Sequence, residues 1–280
     1  MRNFTFKGLF LAIVFIVLGS LSIQAADGLI TKQITIKLEK AGTLPDKIGS
    51  TKKKQITNLK IIGEINGTDL RMIREMAGKD VRDNDTDGML SVLDLSDAKI
   101  VEGGDYYYIH HSYYSTSNDK IGDYTFHGCS VLTSLTLPSG LTEIGEGAFS
   151  YCSGLTSITL PSGVTSIGNV AFDCCSGLTS IYVYTEKLPK MGSSVFGDCD
   201  AKKCTVYVPK GTYDDYWLSE FGYFENIVEF DPTGINNVIT SNDAKELSRY
   251  SLNGLRLSAP TKGLNIVKYS DGSVKKVAIQ

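Results

Sequence analysis

Residues 144–161 read IGEGAFSYCSGLTSITLP, and closely similar phrases occupy residues 121–138 and 167–183. The first two 23-residue copies share 14 residues and the second and third share 11, so chance does not explain the period. A fourth, less regular copy begins at Met191. A fixed period of this length predicts a solenoid, in which each copy is one coil that buries its apolar face against its neighbours.

The pattern within one copy indicates how a coil is built. Leu135 and Leu137 alternate with Ser134 and Thr136, as in a short strand with one buried face. Stacking the coils pairs these strands in parallel. Phe149 and its equivalents are expected to pack on the opposite wall, one above another in a single aligned column.

The first 26 residues have the layout of a secretory signal. Arg2 and Lys7 precede an apolar run at residues 9–18, and Ala25 and Ala26 offer a cleavage site. Ten apolar residues are too few to span a bilayer. We therefore expect an exported protein with no transmembrane span after cleavage. An uncleaved anchor remains an alternative, because residues 8–26 carry no charge.

The rest of the chain divides into four predicted stretches. Their predicted limits are residues 27–120 for an N-terminal cap with early irregular repeats, 121–230 for the regular repeats and a C-terminal cap, 231–245 for a linker, and 246–280 for a small antiparallel β module. Thr68 is a candidate cap for a helix from Asp69 to Ala77, and Lys210 to Phe221 reads as a closing helix. Turns at Asn253-Gly254 and Asp271-Gly272 predict two hairpins in the β module.

Composition narrows the range of functions. The net charge of −3 gives no basic face, which argues against a nucleic-acid partner. The chain has three histidines and none of the common nucleophile, phosphate-loop or zinc motifs, so we expect no enzyme activity and no cofactor. The sequence gives no oligomeric state.

Two sets of residues are candidates for partner binding. The first is an insertion at residues 105–118, whose tyrosines are Tyr106, Tyr107, Tyr108, Tyr113 and Tyr114. Tyrosine is amphipathic and stiff, which suits a protein contact or the stacking of sugars. The alternative is a long loop whose rings pack back onto the solenoid. The adjacent His110 and His111 offer a weaker metal hypothesis.

The second set is the outward-facing row of the repeat strands. Its members are Ser134, Thr136, Ser157, Thr159, Ser180 and Tyr182. Short hydroxyl side chains can hydrogen-bond to a partner, but they offer little area for a strong contact. The row is therefore either a binding surface or a solvated face.

An acidic stretch has most of the spacing of a calcium loop. Its carboxylates are Asp83, Asp85, Asp87 and Asp94. Alternate carboxylates can converge on one hard cation. However, Asp94 lies in a predicted strand, and an ordinary acidic turn is the competing interpretation.

Four cysteines recur once per copy, at Cys129, Cys152, Cys175 and Cys199. We expect a column of buried, reduced thiols, because free cysteine is a small apolar residue. Disulfides within the column remain an alternative, since neighbouring coils lie within bridging distance. Cys174 and Cys204 fall outside the pattern and form a possible pair.

The phrase at residues 144–161 resembles the BspA-like leucine-rich repeat, strongly over residues 121–208 and weakly over 56–120. The resemblance implies an α/β leucine-rich-repeat solenoid with short parallel strands on its concave face and an irregular or 3-10 convex side. It also implies non-catalytic exported proteins, displayed on bacterial surfaces, that bind host or neighbour proteins. The last 35 residues resemble sorting or anchoring modules of exported proteins. A structural envelope component without a soluble ligand is a further alternative.

Overall fold

The computed structural model describes residues 28–232 and parts of the C-terminal region, namely 246–251, 256–257, 259–260, 262–269 and 274–279. The expected signal at residues 1–26 lies outside the described residues, as does the predicted linker beyond residue 232. The two turns predicted at Asn253-Gly254 and Asp271-Gly272 also lie outside them.

The helices and strands follow one another in three groups. The N-terminal group is β1 (Ile34–Leu38), α1 (Leu44–Lys52), β2 (Asn58–Ile65), α2 (Gly67–Met76), β3 (Val92–Ile100), β4 (Gly103–Ile109) and β5 (Tyr113–Thr116). The regular coils contribute β6 (Lys120–Ile121), β7 (Ser134–Thr136), β8 (Glu143–Ile144), β9 (Ser157–Leu160), β10 (Ser166–Ile167), β11 (Ser180–Val183) and β12 (Lys190–Met191). The last group is β13 (Thr205–Pro209), α3 (Tyr213–Trp217), a 3-10 helix (Glu220–Tyr223), β14 (Asn226–Phe230), β15 (Glu246–Ser251), β16 (Arg256–Leu257), β17 (Gly263–Tyr269) and β18 (Val274–Ile279).

The coils are joined by two parallel sheets. The main sheet has eight strands in the order β1-β2-β3-β7-β9-β11-β13-β14, and each neighbouring pair is parallel. The short strands β6, β8, β10 and β12 form a second parallel sheet. This arrangement confirms a solenoid of stacked coils. The C-terminal strands form an antiparallel sheet in the order β16-β15-β17-β18.

A column of phenylalanine rings runs through the core, one from each coil. The centroids of Phe126 and Phe149 are 5.6 Å apart, those of Phe149 and Phe172 are 5.0 Å apart, and those of Phe172 and Phe196 are 5.7 Å apart. The ring planes differ by 8–14°. The predicted alignment of these rings is therefore confirmed. Phe221 and Phe224 of the C-terminal cap close the column against Phe196.

Polar groups of the repeat also bond along the solenoid axis. The amide of Phe149 donates to the carbonyl of Ala171 in the next coil (2.8 Å). The hydroxyls of Thr156 and Thr179 each donate to the threonine carbonyl one coil earlier (3.0 Å). The same two carbonyls also accept from the threonine amides, so this recurring threonine adds a second link between neighbouring coils at the exposed rim of the sheet.

The glycine after each coil's isoleucine is required for close approach of two backbones. A Cβ on Gly168 would lie 2.5 Å from the backbone nitrogen of Glu146, so no larger residue fits without a shift of the coils. Gly168 is not among the residues with a positive φ, so its backbone conformation is not left-handed. The close approach of two neighbouring coils, and not the geometry of a turn, therefore requires glycine at this position.

The helix predicted after Thr68 begins two residues earlier, and Asn66 is its cap. The Asn66 side chain accepts from the Thr68 amide, and Asp69 accepts from the Asn66 amide, which together form a capping box. The buried Asp69 also accepts from the amides of Gly42 and Leu44, so it holds the start of α1. The prediction of Thr68 as the cap was wrong because Asn66 and Asp69 complete the capping box and Thr68 lies inside the helix.

Two other helical segments differ from the predictions. Residues 44–52 form α1, whose Leu44 and Ile48 are buried, and the sequence analysis did not predict this helix. The predicted closing helix at residues 210–221 is two short pieces, α3 and the 3-10 helix. The hydroxyl of Ser219 caps the second piece at the Phe221 amide (3.2 Å), which ends the first one.

Replacing Phe149 by Ala should lower the free energy of unfolding by about 3–5 kcal/mol, because it removes the middle ring of the column and leaves a cavity. Tyr106→Ala removes an exposed ring (49% exposed) and should cost less than about 1 kcal/mol. Urea unfolding followed by circular dichroism measures both. Equal losses for the two variants would contradict the buried column.

Candidate binding surfaces

The outer face of the main sheet is a continuous polar surface. The strand register places Lys60 beside Asp94, Asp94 beside Thr136, and Thr159 beside Tyr182. A second column of outward side chains, beside the first, contains Ser134, Ser157 and Ser180. The predicted outward row therefore exists. The charged residues extend it towards the N-terminus, and Tyr207 and Val228 extend it towards the C-terminus.

The chemistry of this face changes along the axis. At its N-terminal end, Lys60 pairs with Asp97 (2.7 Å) and Asp94 (3.1 Å), and these hydrogen bonds raise the pKa of the lysine. At its C-terminal end, the rings of Tyr182 and Tyr207 stack with centroids 4.5 Å apart and planes 7° apart.

Burial raises the pKa of Tyr207, with a smaller contribution from Tyr182, so its hydroxyl remains a neutral hydrogen-bond donor. Tyr184 and Phe230 form a second aromatic pair, at 5.2 Å. The hydroxyl row thus leads into an aromatic end. The sequence analysis missed Tyr207, although it occupies the repeat position of Thr136 and Thr159.

The tyrosine-rich insertion is a β-hairpin, not a loop. Its strands β4 and β5 pair antiparallel, with Tyr108 opposite Tyr114. Thr68 attaches the hairpin to α2, because its hydroxyl accepts from the amide of Asp105 (2.9 Å). The amide of Ile109 donates to the carbonyl of Val81 (2.7 Å). The hairpin is consequently fixed to the solenoid on two sides.

A buried arginine organises the contact between the hairpin and the first regular coil. Arg74 has no exposed surface and donates to the carbonyls of Tyr124 (3.1 Å) and Thr125 (3.0 Å). It also pairs with Asp83 (3.3 Å). Its guanidinium lies 4.8 Å from the centre of the Tyr108 ring, within the range of a cation–π contact. A buried charge must be paired and hydrogen-bonded. The Arg74 guanidinium donates to the first regular coil, pairs with Asp83 of the acidic loop and contacts the hairpin through the Tyr108 ring.

Burial removes two tyrosines from the predicted contact set. Tyr107 is 1% and Tyr108 is 3% exposed, and the Tyr107 hydroxyl donates to the carbonyl of Asp123 (2.9 Å). Burial raises the pKa of Tyr107 to about 12. Assigning these two rings to a partner-binding surface was therefore wrong. The half-buried Tyr114 packs between Tyr108 (5.7 Å) and Tyr124 (5.3 Å).

An exposed pair remains on the outer side of the hairpin. Tyr106 and Tyr113 are 49% and 67% exposed, and their centroids are 5.0 Å apart. His110 and His111 stack edge to face at 4.1 Å between centroids, and they do not belong to any metal-sized cluster of ligand atoms among the described residues.

The four aspartates of the calcium hypothesis are not brought together. Each pairs with a different cation: Asp83 with Arg74, Asp85 with Lys79, Asp87 with Lys54, and Asp94 with Lys60. His127 Nδ1 also lies 3.2 Å from Asp83, at an angle that does not make a hydrogen bond. Within the described residues these carboxylates act as separate ion-pair partners, in agreement with the interpretation as an acidic turn.

Asp83 has a structural role in this turn. Burial raises the pKa of Asp83, but the neighbouring His127 and the positive charges of Lys79 and Arg74 outweigh it, so the pKa lies below its usual value. Its backbone is left-handed (φ 66°), a conformation that asparagine also tolerates. Asp83→Asn is therefore a suitable substitution that removes the charge without altering the backbone.

Asp83→Asn should lower the free energy of unfolding by about 1.5–3 kcal/mol at neutral pH, because it removes a charged partner of Arg74. A carboxyl with a depressed native pKa stabilises the fold above its unfolded pKa of about 3.9 and loses that effect as the pH falls through the lower native value. The difference from the wild type should thus disappear in acid. Urea titrations between neutral pH and about pH 2 measure it, because the loss takes place only below the unfolded pKa of about 3.9. Asp85→Asn, at a 91% exposed side chain, is the control and should change little. A pH-independent difference for Asp83→Asn would contradict the assignment.

The four repeat cysteines form the predicted buried column with free thiols. The Sγ atoms of Cys152, Cys175 and Cys199 each donate to the carbonyl of the phenylalanine one coil earlier, at 3.0–3.2 Å. Burial raises the pKa of Cys129 to about 11 and that of Cys199 to about 12. The thiols therefore stay protonated and serve as small core residues that also satisfy buried carbonyls.

The sequence analysis missed one cluster of possible ligands, formed by Asp173, Cys174 and Asp198. The Cys174 sulfur lies 3.4 Å from Asp173 Oδ2 and 3.7 Å from Asp198 Oδ2. Burial and then the hydrogen bond to Asp173 raise the pKa of the thiol, so it is a donor to the carboxylates and not a thiolate. The proposed pairing of Cys174 with Cys204 is not formed, since both are free and Cys204 is buried.

Native protein should react with a thiol reagent at one site, the half-exposed Cys174, and at all six sites once unfolded. Titration with 5,5′-dithiobis(2-nitrobenzoate) with and without denaturant counts them. Cys174→Ser should abolish the native reaction and leave the other five for the unfolded state. Rapid labelling of several thiols in the folded protein would contradict the burial of the cysteine column.

The match to a family model agrees with the repeat architecture. Residues 106–215 match the family model described as BspA type leucine-rich repeat region, in six copies. A leucine-rich repeat protein from Bacteroides ovatus ATCC 8483 aligns at 25% identity and a TM-score of 0.37, over 63% of this chain and 43% of that one. This chain thus spans less than half the length of that protein. No curated protein matches the chain.

Residues 106–215 are therefore similar to a BspA-type leucine-rich-repeat region, and the strands of their coils pair in parallel as in a solenoid. The predicted resemblance is confirmed for the repeats. No helix among the described residues is long and apolar enough to cross a membrane.

Proposed function

We propose that this chain is a non-catalytic, exported bacterial surface protein that binds a protein partner through the outer face of its main sheet. The arrangement of side chains on that face is the observation that supports this proposal. Its outward side chains lie in register over successive coils, and the row ends in the Tyr182–Tyr207 stack. BspA-type repeats are typical of surface-associated proteins that interact with other proteins, which supports the same proposal.

The two halves of the face would have different roles in binding. Stacked tyrosines supply a rigid apolar area with hydroxyls at its edge, which is typical of the energetic centre of an interface. The serines, threonines and the Lys60–Asp94 pair would add hydrogen bonds and orientation. We therefore assign affinity to the aromatic end and specificity to the polar end.

Export and attachment rest on the two chain ends. The pattern at residues 1–26 supports secretion, and the antiparallel sheet of strands β15, β16, β17 and β18 is the candidate sorting or anchoring module. Protease treatment of intact cells followed by fractionation tests this part. The protein should be removed by external protease, and a protected, periplasmic pool alone would contradict it.

Replacing both Tyr182 and Tyr207 by Ser should weaken binding to the protein partner at least tenfold, because the double change removes the aromatic centre of the face. Surface plasmon resonance against a panel of purified extracellular-matrix and bacterial surface proteins measures the loss. Tyr106→Ser with Tyr113→Ser is the matched control, since it also removes two neighbouring tyrosine rings from the surface. If no panel protein binds the wild type, or if both double variants bind equally, the assignment to the sheet face fails.

The Tyr106–Tyr113 pair favours a second candidate function, glycan binding by the hairpin. Its two rings are the most exposed tyrosines of the hairpin, and Arg74 anchors the strand pair that holds them. A glycan array separates the two functions. Saccharide binding that is lost in the hairpin variant and kept in the sheet variant would favour this second function.

A further inference from the structure

The two ends of the solenoid carry opposite charges. The first unit, residues 28–55 with β1 and α1, contains seven lysines and two acidic residues, a net charge of +5. The last unit, residues 210–232 with α3, the 3-10 helix and β14, contains one lysine and six acidic residues, a net charge of −5. We call these units the basic end and the acidic end. The net charge of the whole chain is small because these two charges cancel, so the expectation that the chain has no basic face is wrong for the first unit.

Much of this charge is not neutralised within the solenoid. At the basic end Lys32, Lys40, Lys47 and Lys52 are exposed and form no ion pair with any described residue, whereas the other three lysines have acidic partners. At the acidic end Asp214, Asp215 and Glu225 are likewise exposed and without an ion pair in the described part of the chain. Opposite potentials of this kind steer two molecules together and disfavour contact between two like ends.

Both ends also present an open strand edge. β1 and β14 are the outermost strands of the main sheet, and no described strand pairs with their outer edges. Each is five residues long. Such an edge offers unpaired backbone groups to another strand. Because every strand of the main sheet runs in the same direction, β14 of one copy set beside β1 of another would extend the sheet in parallel.

The apolar core is less well covered at these two edges than in the middle. Ile34 and Ile36 of β1 are only partly buried, whereas their neighbours in β2 are fully buried. At the acidic end, Ile227 is partly buried and Leu218 is 85% exposed. A solenoid needs its terminal apolar faces covered. A second solenoid stacked in line would cover both ends in the same way as one coil covers the next.

We propose that copies of this chain associate head to tail, the acidic end of one solenoid against the basic end of the next. The contact joins two different surfaces of the same chain and is therefore heterologous, so it can repeat without closing and produce linear chains of molecules. A row of solenoids would continue the outer sheet face from copy to copy, which would multiply the binding surface for a partner by avidity.

Sedimentation velocity of the chain from residue 27 onward tests the proposal. At about 20 mM sodium chloride the weight-average sedimentation coefficient should rise with protein concentration, and at about 500 mM salt it should return to the monomer value, because screening weakens the facing charges. The C-terminal residues 246–280 are themselves net basic, with six basic and two acidic side chains. If they cover the acidic end within one chain, the protein stays monomeric at every concentration, and the proposal is wrong.

Charge reversal at the ends provides the sharper test. Lys47→Glu with Lys52→Glu, or Asp214→Lys with Asp215→Lys, should each weaken association about tenfold or more, because like charges then face one another. All four changes in one chain restore opposite ends and should restore association. Lys187→Glu with Lys190→Glu is the matched control for the lysine pair, since it makes the same change in net charge at exposed positions in the body of the solenoid.

Circular dichroism checks that each variant is folded. Loss of association in the control pair, or failure of the fourfold variant to recover, would contradict a contact between the two ends.

Discussion

The stacking of coil on coil is the constraint on which the rest of the structure depends. One 23-residue coil has apolar residues on three sides and cannot bury them alone, so its Phe149 ring is covered only when Phe126 and Phe172 lie above and below it. The same stacking brings backbones close enough at Gly168 to exclude any side chain. Threonine hydroxyls and cysteine thiols then satisfy carbonyls one coil away. Each recurring residue of the motif is therefore explained by a contact with a neighbouring coil.

This one-dimensional core determines which surfaces remain for function. The interior is filled by the motif, and the buried cysteines with raised pKa values have no reactive role there. What is left is the outer sheet face, the outer side of the hairpin and the two ends. The sheet face carries the proposed partner site, and the ends carry the opposite charges from which we infer self-association. Arg74 belongs to the scaffold, because it fixes the hairpin and thereby leaves only Tyr106 and Tyr113 free.

The sequence predicted the repeat region well because its information is periodic. A residue such as Phe149 or Cys152 recurs in register, so its neighbours along the axis follow from counting. The irregular parts contain contacts between segments that no period relates. Asp69 caps α2 and also holds α1, and Thr68 fastens a hairpin almost forty residues away. The burial of Tyr107 and Tyr108 depends on Arg74, and nothing in the sequence indicates that Arg74 lies near them. Tyr207 could have been predicted as part of the outward row, because it occupies the corresponding position of the repeat.

The most direct test of the central claim is native-state hydrogen exchange, resolved by residue, across the regular coils. The amides of Phe126, Phe149 and Phe172 each donate to a carbonyl of the next coil, at 2.7–2.8 Å. If the coils share one continuous core, these amides should rank among the slowest to exchange and should share one opening free energy close to that of global unfolding. Fast exchange at these amides, or opening of each coil on its own at low free energy, would show that the coils do not depend on one another.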